Sequence, residues 1–127
     1  MSINKITPIL LVDEIESCLP FWIDRLGFAK TAEVPHEDRI GFVILQKDGT
    51  ELMYQTFASV AADVPAIAAT PRAGSVLFIE VADIDATEKA VSAQQVVVPR
   101  RKTFYGADEI FVREPGGHIV GFAQFGA

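Results

Sequence analysis

The chain is poor in the residues that most often announce a chemistry. It has one cysteine, one tryptophan (Trp22) and two histidines, His36 and His118, among 127 residues. A lone Cys18 excludes an internal disulfide. No apolar run approaches the roughly 20 residues needed to cross a bilayer, so no membrane partner is expected. The start, Met1-Ser2-Ile3-Asn4-Lys5, lacks the basic region and apolar core of a secretion signal. With disulfides absent as well, the expected compartment is the cytoplasm. Basic residues are also scarce, 11 against 17 acidic ones, for a formal charge of -6. Nucleic-acid affinity rests on phosphate neutralisation, so this balance speaks against a nucleic-acid partner. The one basic cluster, Arg100-Arg101-Lys102, reads as a solvated strand end. Acidity biases the protein toward cationic ligands through long-range attraction.

What is present is a folded, globular composition, with half the residues hydrophobic. Ile6 to Val12 is an apolar run suited to a buried strand, with Pro8 favouring an edge. Asp13 and Glu16 have capping-box spacing. Ile15, Leu19, Trp22, Ile23 and Leu26 then recur at helical spacing, which predicts a helix ending at Gly27 and kinked by Pro20. Phe28 to Val34, Ile40 to Gln46 and Glu51 to Phe57 read as strands, and Lys47-Asp48-Gly49-Thr50 is a strong hairpin signal. An alanine-rich connector follows. The order then repeats: a strand at Ser75 to Val81, a helix capped by Asp83, an extended Val96 to Phe104, and strands at Glu109 to Arg113 and His118 to Phe125.

Val12 matches Val81 at an offset of 69 and Gly49 matches Gly117 at 68. A near-constant offset over a whole unit predicts a duplication. The expected organisation is a single duplicated domain over 1–127. Module 1 takes about 5–57, the connector about 58–74 and module 2 about 75–127.

Three stretches carry a resemblance to a known superfamily. They are Pro8-Ile9-Leu10-Leu11-Val12 through Phe21-Trp22-Ile23-Asp24-Arg25-Leu26-Gly27-Phe28, then Tyr105-Gly106-Ala107-Asp108-Glu109-Ile110-Phe111-Val112-Arg113, and the turn Glu114-Pro115-Gly116-Gly117-His118. The chain resembles the vicinal oxygen chelate superfamily, which includes glyoxalase I, extradiol dioxygenases and the fosfomycin- and bleomycin-resistance proteins. The resemblance implies an α+β fold of two tandem βαβββ modules forming a cupped mixed sheet with helices outside. It also implies a homodimer.

Enzymes of that superfamily hold a divalent metal through the first and last strands of each module. Carried onto this sequence, the four ligand positions fall on Thr7, Met53, Val76 and Gly121. None is a normal ligand for such an ion, which prefers imidazole and carboxylate. The expectation is therefore no metal and no cofactor. No nucleophile with a base beside it is visible, and Cys18 reads as a buried thiol. His36 and His118 read as loop and turn residues.

Among metal-free members, the bleomycin-resistance proteins of antibiotic resistance are most similar, although their late Trp-Gly is here Tyr105-Gly106. That likeness implies sequestration of an aromatic and/or cationic small molecule in a dimer-associated pocket, without catalysis. The alternative is a lyase or isomerase of the same fold working without the usual metal. Strand alternation nominates Phe42, Tyr54, Phe57, Phe78, Phe104, Tyr105 and Phe111 as pocket lining, with Asp108 as a rim charge.

Overall fold

The computed structural model describes residues 1–2, 4–69 and 74–126, and the chain divides into two compact units, Met1–Arg72 and Ala73–Ala127. In the first, β1 (Ile9–Val12) leads to a 3-10 turn at Glu16–Cys18 and a π-helical segment at Pro20–Arg25. Strands β2 (Ala29–His36), β3 (Arg39–Lys47) and β4 (Thr50–Thr56) follow, then two short helices, α1 (Phe57–Asp63) and α2 (Pro65–Ala68). The second unit contains β5 (Val76–Glu80), α3 (Ile84–Ala90), β6 (Gln95–Lys102), β7 (Ala107–Arg113) and β8 (Ile119–Phe125).

The sheet order is β1-β4-β3-β2 in one unit and β5-β8-β7-β6 in the other. In both, the first and last strands pair in parallel and the others antiparallel. Register repeats as well: Ile9 lies opposite Met53 and Phe78 opposite Gly121, residues displaced by 69 and 68. The tandem βαβββ fold read from the sequence is present. Its hairpin signal is explicit, because Asp48 and Gly49 both take positive φ, 49° and 78°, as a tight two-residue turn requires.

The first helical segment departs from a regular α-helix. Pro20 has no N–H for the carbonyl of Glu16, and its ring crowds that carbonyl. The chain tightens before it and widens after it. Cys18 N–H bonds Ile15 O at 2.8 Å, three residues back, whereas Leu26 N–H reaches Phe21 O at 3.2 Å, five residues back. Gly27, at φ 79°, lets Phe28 N–H close on Trp22 O at 2.8 Å. The expected capping box does not form, since no side chain caps the 3-10 turn. Glu16 instead turns to β3, where its Oε2 accepts the Ile40 amide at 3.0 Å. That bond is the main reason its carboxyl is held below the ordinary carboxylate pKa. Asp83 does cap α3, accepting from Ala86 N–H at 3.1 Å.

Both sheets bury one face. In β4, Leu52, Tyr54 and Thr56 are buried, while Glu51, Met53 and Gln55 between them are partly exposed. The buried face is the one the π-helical segment covers, because Trp22 bonds to Tyr54 there. In the second unit Ile84 N–H donates to Gln124 Oε1 at 2.9 Å, which seats α3 on the face of Phe122, Val120, Ile110 and Val112. Strands β2 and β6 each close one end of their sheet, and each contains a proline. The pairing shifts register between Val34 and Pro35 in one, and between Val98 and Arg101, around Pro99, in the other. A residue without a ladder donor is tolerated at such bulged edges.

Candidate ligand-binding site

The open face of the second sheet gathers most of the aromatic residues nominated from the sequence. Rings follow one another from Phe111 to Phe78 (6.2 Å between centroids), Phe78 to Phe125 (6.2 Å), Phe125 to Tyr105 (6.4 Å) and Tyr105 to Phe104 (5.2 Å). Phe78 on β5 and Phe111 on β7 flank Gly121 of β8, the register partner of both. Tyr105 and Phe104 ride on the loop between β6 and β7. Thr103 N–H donates to Ala107 O at 2.8 Å, and Thr103 Oγ1 accepts Ala107 N–H at 3.0 Å. With Gly106 at φ 85°, the loop is short and fixed. Phe78 is 49 % exposed, Tyr105 45 %, Phe125 41 % and Phe104 101 %.

Beneath these rings lies a carboxylate that the sequence did not single out from its neighbours. Glu109 is fully buried. Its Oε1 accepts the Tyr105 hydroxyl at 2.6 Å, and its Oε2 accepts Arg101 Nε at 2.9 Å and Nη2 at 2.8 Å. A buried charge is costly unless it is paired and hydrogen-bonded, and here both oxygens are satisfied. The pairing with Glu109 also raises the pKa of Arg101.

Other nominated residues fall elsewhere. Tyr54 is entirely buried on the helix-covered face of its sheet, where its hydroxyl oxygen accepts Trp22 Nε1–H at 2.7 Å. It therefore does not share a face with Phe42; alternation in β4 places Gln55, the register partner of Phe42, on that side. Phe57 is not a strand residue, because it opens α1 behind the Thr56 N-cap. Asp108 is not a free rim acid. It faces the α3 side and takes both Nε and Nη2 of Arg100 at 2.9 Å, which lowers its pKa. Arg100 is further held by Asp85 at 2.6 Å and Glu88 at 2.9 Å. Phe42 lines a separate hollow of about 530 Å³ in the first unit, with Val34, Pro35, His36, Gln55 and Ser59. Phe125 was missed, although alternation along β8 from Gly121 through Ala123 would have pointed to it. His118 N–H is held in the turn by Glu114 Oε1 at 2.7 Å.

The four positions that would hold the superfamily's metal do not fit one. Thr7 uses its hydroxyl to donate to Glu51 Oε2 at 2.9 Å. Glu51 also takes Lys5 at 2.7 Å and Gln46 Nε2 at 2.7 Å, and these contacts, Lys5 foremost, lower its pKa. Met53 and Val76 offer a thioether and a hydrocarbon. At Gly121 a β-carbon would lie 2.7 Å from Phe111 Cδ2 and 2.8 Å from its Cζ, so the ring occupies the space a glutamate would need. Among the described residues, no three His, Cys, Asp or Glu side chains converge in a way that could hold a metal ion. No helix among them is long and apolar enough to cross a membrane.

Residues 2–122 match the family model of the Glyoxalase/Bleomycin resistance protein/Dioxygenase superfamily, and the chain belongs to that superfamily. No curated protein matches it in sequence. Solved structures share its fold. One is the bleomycin-binding protein from bleomycin-producing Streptomyces verticillus, complexed with copper(II)-bleomycin, at TM-score 0.65 and 23% identity over 100% of this chain and 99% of that one. Another is TnmS3, an antibiotic binding protein from Streptomyces sp. CB03234, at TM-score 0.73 and 19% identity over 99% of both chains. A third is lactoylglutathione lyase from Agrobacterium tumefaciens, at TM-score 0.76 and 15% identity over 98% of this chain and 96% of that one. A fold shared by binding proteins and an enzyme leaves function to the site.

Proposed function

We propose that this protein binds and sequesters a small aromatic compound, without a metal, on the open face of its second module. The observation that carries this reading is the unbroken run of rings from Phe111 to Phe104, most of them exposed. Contiguous exposed apolar surface marks interaction sites, and each well-placed ring pair contributes about 0.5–1.5 kcal/mol beyond simple burial. The structural likeness to a bleomycin-binding and an antibiotic binding protein is compatible with a container on this fold. The net charge of -6 adds a long-range bias toward cationic groups, which direct contacts within the site outweigh. The rest of the reading is that both modules form one duplicated domain, acting as a homodimer in the cytoplasm.

A thermal-shift screen of aromatic compounds, bleomycin-type antibiotics included, tests this directly. A ligand that binds the folded state raises the melting temperature. Stabilisation that Phe125→Ala and Tyr105→Ala remove is the expected result. Stoichiometric metal in the purified protein would sink the metal-free part, and a single sedimenting monomer would sink the dimer.

One observation favours a second reading, a lyase or isomerase of this fold acting without the usual metal. Tyr105 holds its hydroxyl 2.6 Å from a buried carboxylate, a pair able to exchange a proton with a bound substrate. Turnover on a panel of α-keto, thiol-adduct and catechol substrates that Tyr105→Phe abolishes would favour it.

A further inference from the structure

We infer that Arg101 selects among aromatic ligands by binding a pair of acceptor oxygens carried on the ring, an aryl carboxylate being the simplest. This rests on the reading of the aromatic face as a ligand site. A guanidinium has five N–H donors in a planar fork and can grip two bidentate partners along different edges. Arg101 gives Nε and Nη2 to Glu109 Oε2, its guanidinium also meets the Tyr105 hydroxyl, and Nη1 makes no close hydrogen bond among the described residues. Its side chain is 55% exposed, so the Nη1 edge faces solvent.

Arg100, the neighbour in sequence, shows the contrast. Its Nε and Nη2 go to Asp108 and its Nη1 to Asp85 and Glu88, so each edge meets a carboxylate. Arg113 gives Nη1 to Gly117 O at the far end of β7. Arg101 is thus an arginine on the aromatic face that Glu109 and Tyr105 hold in place while Nη1 is left to donate.

The clamp is built from the aromatic run itself. Glu109 bonds Arg101 through one oxygen and the phenol of Tyr105 through the other. Tyr105 in turn meets Phe125 and Phe104. One buried carboxylate therefore fixes both a stacking ring and a hydrogen-bonding edge beside it. Burying a charge for structure alone is a poor stabiliser compared with apolar packing. Glu109 makes sense as the group that keeps the guanidinium aimed. A ring lying against Tyr105 and Phe125 would bring an attached carboxylate to the open edge, where paired charge-assisted bonds form.

Glu80 is the acid that opposes such a ligand. It lies on the same face in the cross-strand row Glu80, Ala123, Glu109, Arg101. At about 4.8 Å per strand it stands roughly 14 Å from Arg101, beyond the screening length of about 8 Å in physiological salt. Contact at Arg101 outweighs it, as it outweighs the diffuse charge of the whole chain.

Three probes with one ring system test the idea: 2-naphthoate, 2-naphthylmethanol and 2-naphthylmethylammonium, titrated calorimetrically at physiological salt. The acid should bind about tenfold more tightly than the alcohol, the scale of one charge-assisted pair. Arg101→Lys keeps a charge opposite Glu109 but has no second edge, and should cut the ratio of acid to alcohol affinity below about threefold. Because Arg101→Gln alone would strand a buried carboxylate, the double variant R101Q/E109Q serves as the second test, with its melting curve checked. It too should lose the preference. Equal binding of acid and alcohol, tightest binding of the ammonium, or a preference that persists in both variants would each overturn the inference and leave the aromatic site standing. If none of the three probes binds, the aromatic-site reading falls with it.

Discussion

The two modules share a strand order and a register yet distribute their aromatic residues differently. In the first, Phe21, Trp22 and Tyr54 are buried, and Trp22 meets Phe21 at 5.1 Å and Phe28 at 5.2 Å, both edge to face. In the second, Phe122, the counterpart of Tyr54, is buried as well, but the opposite, open face carries Phe78, Phe104, Tyr105 and Phe125 in contact with solvent. The fold demands neither arrangement, since one topology holds both. Aromatic burial in module 1 serves cohesion, while aromatic display in module 2 costs solubility unless something is bound there.

The contrast is most easily broken at Trp22. Trp22→Ala removes a buried ring and the donor to Tyr54, and should cost about 3–5 kcal/mol in urea unfolding. Phe104→Ala should stay within about 0.5 kcal/mol. Comparable losses at the two sites would erase the distinction between anchor and display. Next in size is Gly121→Ala, which forces the Phe111 ring to move and should destabilise by about 1–3 kcal/mol. Phe111→Leu in the same background should recover part of that loss, and a neutral Gly121→Ala would mean the face is looser than described.

Smaller effects sharpen the division of labour. Phe125→Ala should weaken an aromatic ligand found by screening by roughly tenfold, the worth of one ring contact. Tyr54→Phe keeps the buried ring and should leave that affinity unchanged in the same titration. The smallest effect is on pH dependence, and it belongs to both modules. Glu16 and Glu51 in the first and Asp108 in the second have folded pKa values below their ordinary ones. The unfolded chain then binds more protons through this window, so stability rises with pH. Their contribution is present above about pH 4–4.5, the unfolded carboxyl range, and is lost as pH falls through the lower folded values. Melting temperatures between pH 2.5 and 7 should fall in that window, less steeply for Glu16→Gln.

Much of the architecture was legible because local signals agreed. Asp48-Gly49 set the hairpin, Gly27 ended the first helical segment, and the 68–69-residue offset reappears in strand register. Face assignment was harder. Leu52, Met53 and Tyr54 are consecutive apolar residues, so a period of two gives no contrast there, and Tyr54 was expected on the wrong side. Asp108 and Glu109 are adjacent acids, and which arginine sits opposite each depends on a register that the irregularity around Pro99 in β6 resets. The sequence predicted a kink at Pro20 but not the widened turn beyond it, since hydrogen-bond spacing there depends on packing of Trp22 against the sheet.

Pro35 and Pro99 decide how copies of this chain cannot meet. A strand laid alongside β2 or β6 would meet a missing N–H and a break in spacing partway along. Ribbons of sheet therefore have no continuous template at these two borders, and strand-by-strand polymerisation is blocked there. That protection matters for a molecule that shows aromatic rings to water. At these two borders its stickiness is confined to side-chain surface, where a small partner can cover it, and is kept from the backbone, where the same exposure would seed fibrils.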